Sequence, residues 1–326
     1  LGAAAGEAAP MISPFVDTNP VLDRAKFRDP ERTATGEPRA VVAPTGLTTL
    51  WFNTGTLCNL SCRTCYIESS PVNDALVYVG LDEVRRFLDE IAQAGLPTRQ
   101  IGFTGGEPFM NRNLPAMLEL CLDRGFKVLV LTNAMRPMRR FEAVLLTLPQ
   151  RDRLTFRISL DHYSAEVHEA ERGPGSWVPA LDGLHWLARA GFAISIAGRR
   201  LPGETDDAAR AGYAALFATR GVAIDATDPA ALVLFPEMDA SRDVPEISAA
   251  CWAILDVAPA SIMCASSRMV VKRRGEAAPR VAACTLLPYD PRFDLGATLA
   301  EAAVPVALNH PHCARFCVLG GASCAA

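Results

Sequence analysis

Three of the ten cysteines fall in one short stretch, Cys58-Asn-Leu-Ser-Cys62-Arg-Thr-Cys65, followed by Tyr66. The spacing C-x3-C-x2-C puts three thiols in one turn, with no fourth beside them. A [4Fe–4S] cluster that only carries electrons takes four thiolates. Three thiolates leave one iron open, and an open coordination position separates a catalytic metal site from a structural one. The spacing therefore points to a cluster that holds a substrate or cofactor on its free iron. A second set, Cys251, Cys264, Cys284, Cys313, Cys317 and Cys324, lies in the last quarter of the chain. Grouped thiols in a reducing compartment read as metal ligands rather than as a disulfide framework. Cys121, inside an apolar helical run, reads as a small buried hydrophobe.

The elements that must position these thiols alternate. Strands are expected at 47–52, 100–104, 126–131, 154–160, 192–197 and 231–235. Helices are expected at 81–94, 114–122, 139–148, 177–190 and 206–220, with Gly95, Gly125 and Gly191 where helices end. Such alternation means parallel strands with helices outside them. Chemistry in these folds sits at the C-terminal ends of the strands. The Cys58 loop follows the first strand, and Gly105-Gly106-Glu107-Pro108 follows the second. Three parts are expected: an N-terminal extension over 1–44, an α/β partial barrel over 45–236 and a loop-rich metal-binding region over 237–326. The extension shows no sustained period and reads as an arm lying on the rest, or partly disordered.

Half of the residues are hydrophobic and the formal net charge is −4. No basic stripe announces a nucleic acid, and no run approaches the ~20 apolar residues of a membrane span. The start lacks the basic segment of a signal peptide, so a cytoplasmic enzyme is expected. Arg139-Arg140, Arg199-Arg200 and Lys272-Arg273-Arg274 read as solvated faces. His310 and His312, beside Cys313, could ligate metal but read first as solvated loop residues, and His162, His168 and His185 read as structural.

Together, the Cys58-x3-Cys62-x2-Cys65 loop and Gly-Gly-Glu-Pro at the next strand end resemble the radical S-adenosylmethionine (SAM) superfamily over about residues 47–235. The resemblance implies a partial (β/α)6 TIM-like barrel. It implies Cys58, Cys62 and Cys65 on three irons of a [4Fe–4S] cluster, with SAM on the fourth. Reductive cleavage of SAM then yields a 5′-deoxyadenosyl radical that takes a hydrogen atom from the substrate. Gly105 and Gly106, lacking Cβ atoms, let the backbone approach a ligand, and Glu107 adds negative charge near the SAM ammonium. Thr132, Ser159 and Asp161 resemble the family's Thr-Asn and Ser-Leu-Asp strand ends, whose groups suit SAM. Arg199 suits the SAM carboxylate, and Tyr66 the adenine.

The tail resembles the SPASM/twitch extensions of the same superfamily. It implies an auxiliary [4Fe–4S] cluster on Cys264, Cys284, Cys313 and Cys317. Two departures stand out: a longer interval after Gly275, and C-x3-C in the last pair. Cys324 is an alternative fourth ligand, and zinc an alternative metal, since four cysteines are also the usual structural zinc set. Cys251 and Cys324, if not ligands, are candidate hydrogen-atom donors of the kind epimerases use. The implied substrate is a peptide or a small metabolite, to be oxidised, crosslinked or epimerised. A flavodoxin or ferredoxin would supply the electron. A non-catalytic iron–sulfur carrier is the alternative, although such a carrier needs no Gly-Gly-Glu-Pro turn.

Overall fold

The structure, a computed structural model, describes residues 13–15, 19–236 and 238–321. A short strand, β1 (Val41–Val42), precedes the main sheet. Six strands follow in the expected order: β2 (Thr49–Asn53), β3 (Gln100–Thr104), β4 (Lys127–Thr132), β5 (Leu154–Ser159), β6 (Ala193–Arg199) and β7 (Leu232–Phe235). Each pairs in parallel with the next, so their C-terminal ends lie along one side. The tail adds β8 (Ser267–Val271) and β9 (Arg280–Ala282), and the sheet order is β7-β6-β5-β4-β3-β2-β8-β9. The sheet stays open, with β7 and β9 at its edges.

Helices α1 (Leu81–Gln93), α2 (Leu114–Asp123), α3 (Arg136–Arg139), α4 (Glu142–Thr147), α5 (Ala165–Arg172), α6 (Trp177–Arg189) and α7 (Asp206–Arg220) occupy the crossovers. The single helix expected at 139–148 is two short helices, broken at Arg140–Phe141. Pro137 fixes the start of the first one turn early, where a missing N–H costs nothing. Helix α5 was not expected at all.

Alternation along β2 divides the core. Leu50 and Phe52 pack with the helices, whereas Trp51 points to the other face, with Met269, Val271 and the tail. One face of the sheet is thus covered by helices and the other by the tail, as a sheet with two apolar faces requires. Strand β8 pairs in parallel with β2, so the tail continues the barrel's own sheet. The arm from residue 19 lies on the tail: β1 pairs with β10 (Val306–Ala307), and Arg39 forms a buried ion pair of 2.6 Å with Glu246. Helix α8 (Cys251–Leu255) and a π-helix at Cys313–Val318 complete the tail.

Candidate active site

The Cys58 loop leaves the end of β2 and is joined by backbone bonds to the turn after β3. Gly106 N donates to Gly55 O at 2.8 Å and Glu107 N to Leu57 O at 3.1 Å. A Cβ on Gly105 would lie 2.6 Å from Gly55 O, and one on Gly106 would strike the Leu57 carbonyl. Gly105 also adopts φ +147°. The close approach that these glycines permit is therefore first to the Cys loop's own backbone. Both also line the cavity described below.

Within the loop, Leu60 N donates to Cys58 Sγ and Ser69 N to Cys65 Sγ, each at 3.4 Å. Donors aimed at sulfur favour the thiolate and tune a cluster bound there. Without metal, burial pushes the Cys58 thiol up to about 12, with Glu107 adding to the rise, and burial pushes Cys62 up to about 11. Loading a metal must therefore release protons.

One cavity gathers most of the predicted site. Cys58, Cys62, Cys65, Tyr66, Gly105, Gly106, Thr132, Ser159, Asp161 and Arg199 all line it. Thr132 ends β4, Ser159 ends β5 and Arg199 ends β6, which is the side parallel topology reserves for chemistry. The opposite wall is apolar and includes Phe235 and Phe316, stacked at 5.3 Å.

Glu107 is not part of the lining. Its buried carboxylate accepts from Thr132 Oγ1 and Asn133 N, both at 2.8 Å, and from Phe109 N at 3.2 Å. It braces the β3 and β4 ends together. Burial pushes its carboxyl up to about 7 against the pull of these three donors.

Two charged lining residues escaped the sequence reading, and both lie on α5. Arg172 clasps Asp161 through Nε to Oδ2 at 2.7 Å and Nη2 to Oδ1 at 3.2 Å. Burial raises the Asp161 carboxyl, but Arg172 and then Arg199 hold it below its ordinary value. Glu171 accepts from Thr64 N at 2.8 Å and Thr64 Oγ1 at 2.7 Å, which fixes the Cys loop from behind. Arg199 reaches the same place, donating to Thr64 Oγ1 at 2.8 Å and lying 3.4 Å from Glu171. Ser13 Oγ donates to Glu171 at 2.6 Å, and the Phe15 ring lies 4.0 Å from the Arg199 guanidinium. A signal for α5 was present: Ser164, whose Oγ caps Val167 N, precedes a run of good helix formers.

In the tail, Cys264, Cys284 and Cys313 are buried in one apolar cluster, and Cys317 packs at its margin. Cys313 and Cys317 share the π-helix. Burial pushes the Cys264 thiol up to about 11, and burial followed by Cys284 and Cys264 pushes Cys313 well above its ordinary range. Among the described residues, no three His, Cys, Asp or Glu side chains converge on one point as a single ion needs. Cys251 begins α8, 3.6 Å from Ser248 Oγ, and is absent from the cavity lining. Cys324 lies outside the described residues. His312 is buried and His310 half-buried, their rings tilted against each other at 4.7 Å, so neither is the solvated loop residue expected. The Phe293 ring meets His310 edge-on at 6.2 Å.

Residues 52–211 match the radical SAM superfamily model. With the three-thiol loop at the strand ends, this defines the class: residues 52–211 form a radical SAM superfamily domain. Among curated proteins, it is 33% identical over 141 residues to the Bacillus subtilis antilisterial bacteriocin subtilosin biosynthesis protein AlbA, covering 43% of this chain and 30% of that one. It is 30% identical over 154 residues to the mycofactocin maturase MftC of Mycobacterium ulcerans, covering 46% and 40%. The matched stretch thus spans well under half of these relatives. Among solved structures, the fold is similar to Streptococcus suis SuiB bound to S-adenosylmethionine, with a TM-score of 0.56, 10% identity and coverage of 78% of this chain and 64% of that one. It is also similar to anSMEcpe with bound AdoMet, at 0.55 and 13%, covering 78% and 79%. The superfamily implies a [4Fe–4S] cluster and SAM. No helix among the described residues is long and apolar enough to cross a membrane.

Proposed function

We propose that the chain is a radical SAM enzyme that removes a hydrogen atom from a peptide, with an auxiliary cluster held by its tail. The observation that carries this is one cavity shared by three loop thiols and the polar ends of three parallel strands. The donor set fits the implied cofactors: soft thiolates for iron, with hydroxyl, carboxylate and guanidinium groups for SAM. When bound, the cluster and SAM supply a 5′-deoxyadenosyl radical that takes the hydrogen atom.

The chain's own residues do the positioning. Cys58, Cys62 and Cys65 hold the cluster, and Glu171 fixes their loop through Thr64. Arg172, oriented by Asp161, offers a preset cation to a carboxylate, and Thr132, Ser159 and Tyr66 line the remaining surface. The apolar wall at Phe235 and Phe316 keeps water from the reacting atoms. In the tail, Cys264, Cys284, Cys313 and Cys317 form the proposed ligand set, with Cys324 as an alternative fourth.

A peptide substrate is supported by the mouth of the site. There a peptide segment of this chain, Ser13–Phe15, already sets a hydroxyl on Glu171 and a ring on Arg199. It is also supported by a relative named for bacteriocin biosynthesis. A small metabolite is the competing reading, since another relative is a GTP 3′,8-cyclase from Tolumonas auensis. A reducing cytoplasm and a flavodoxin- or ferredoxin-type donor complete the proposal. The test is anaerobic reconstitution followed by dithionite and SAM. Formation of 5′-deoxyadenosine is expected; its absence from a fully loaded protein would favour the electron-carrier reading.

A further inference from the structure

Arg268 differs from Arg39, which is also buried, and from Arg172 in the partners it bonds. Arg39 pairs with Glu246, and Arg172 with Asp161. Arg268, near the start of β8, is 4% exposed, yet no ion pair involves it among the described residues. Its donors go to main-chain carbonyls: Nε to Ala302 at 2.9 Å, Nη1 to Cys264 and to Ser267 at 2.8 Å, and Nη2 to Val304 at 3.0 Å. Carbonyl dipoles orient a guanidinium but do not neutralise it, and a buried charge without a counter-charge is costly. Its bond to the Cys264 carbonyl ties it to a buried cluster that also holds Cys284 and Cys313, and the thiols of these three residues are groups there that can become anions. Arg292 also faces Cys313 but is paired with Asp290. Protonated thiols are neutral and leave the guanidinium unmatched. Thiolates on a metal cluster match it.

We propose that Arg268 is the fixed counter-charge of the tail's thiolate–metal group and raises its reduction potential. The proposal rests on the auxiliary-cluster reading above. Reduction adds negative charge to a cluster, and a cation held nearby in a low-dielectric interior stabilises the reduced form. The same side chain ties the Cys264 loop to the 302–304 segment, so it positions a ligand as well as balancing it.

The test uses the full chain, reconstituted anaerobically as wild type, Arg268→Met and Arg268→Lys. Iron and sulfide are counted, and the potentials of both clusters are followed by EPR-monitored redox titration. Wild type is expected to hold about eight irons, two [4Fe–4S] clusters. In Arg268→Met, the tail cluster's reduced fraction at a fixed potential should fall at least tenfold, a 59 mV shift for a one-electron couple. The loop cluster should stay where it is, and Arg268→Lys should recover most of the shift. Wild type holding only the loop cluster would overturn the auxiliary-cluster reading, and this inference with it. Two clusters in both proteins with an unmoved tail potential would overturn the inference alone. Should Arg268→Met lose the tail iron, Arg268→Lys decides: reloading upholds the counter-charge, and failure to reload overturns it.

Discussion

The two thiol groups of this chain sit in opposite surroundings. The loop of Cys58, Cys62 and Cys65 lines a cavity together with charged and hydroxyl groups at strand ends. Cys264, Cys284 and Cys313 are packed among apolar side chains, with the Arg268 guanidinium donating to the Cys264 carbonyl. The contrast separates two jobs that sulfur and iron can do. A group beside an open polar cavity can bind and break a ligand. One sealed in an apolar shell can hold the fold and store or pass an electron. The sheet itself joins the two, because β8 of the tail pairs with β2, from which the loop emerges.

The largest expected effect separates these jobs. Cys58→Ala, Cys62→Ala or Cys65→Ala should abolish 5′-deoxyadenosine formation and remove the loop iron, measured by product chromatography and iron assay. Replacing Cys264 or Cys313 by serine should remove only the tail iron and leave 5′-deoxyadenosine formation with dithionite in place. Equal loss from both sets would erase the distinction.

Next comes the cation beside the loop. Arg172→Met leaves Asp161 buried without its partner, which should cost about 3–5 kcal/mol of stability by denaturant titration. The double variant Arg172→Met/Asp161→Asn should recover part of that loss while SAM binding stays impaired. A smaller loss is expected from Gly106→Ala, which drives a methyl into the Leu57 carbonyl. Overpacking of this kind costs about 1–3 kcal/mol, and the loop, not the tail, should lose iron.

Two carboxylates near the loop give opposite pH signs. Asp161 has a lowered pKa in the fold, so its contribution is present above the unfolded value of about 3.9 and is lost as pH falls through the folded value. Glu107 is raised to about 7. Its unfolded form ionises near pH 4.3, so stability should fall as pH rises from about 4 to about 7, at up to about 1.4 kcal/mol per pH unit. Urea denaturation of the metal-free chain should show this fall, and Glu107→Gln should flatten it. An unchanged slope in that variant would contradict the assignment. The smallest effect is reserved for Cys251→Ala. Because Cys251 does not line the cavity, product should still form; loss of product with 5′-deoxyadenosine retained would restore it as a hydrogen donor.

Much of this architecture was legible in the residues. Apolar runs of strand length, separated by helical periods, located all six parallel strands to within a few positions. Hydroxyl and carboxylate groups at their ends indicated the cavity's polar wall. What the sequence could not show depends on contacts distant along the chain. Glu107 reads as a ligand-facing charge beside two glycines, but Thr132 and Asn133 draw it into the strand ends. Arg172 is one arginine among many until α5 brings it onto Asp161. Pairing of β8 with β2 joins segments more than two hundred residues apart, and no local pattern encodes it.

The most direct test of the open loop site uses a variant in which Cys264, Cys284 and Cys313 are serine, so that only the loop cluster remains. Reduced anaerobically, it should give a single EPR signal that changes when SAM is added, and should release 5′-deoxyadenosine. A loaded, reduced cluster whose signal ignores SAM and whose solution contains no 5′-deoxyadenosine would contradict the account.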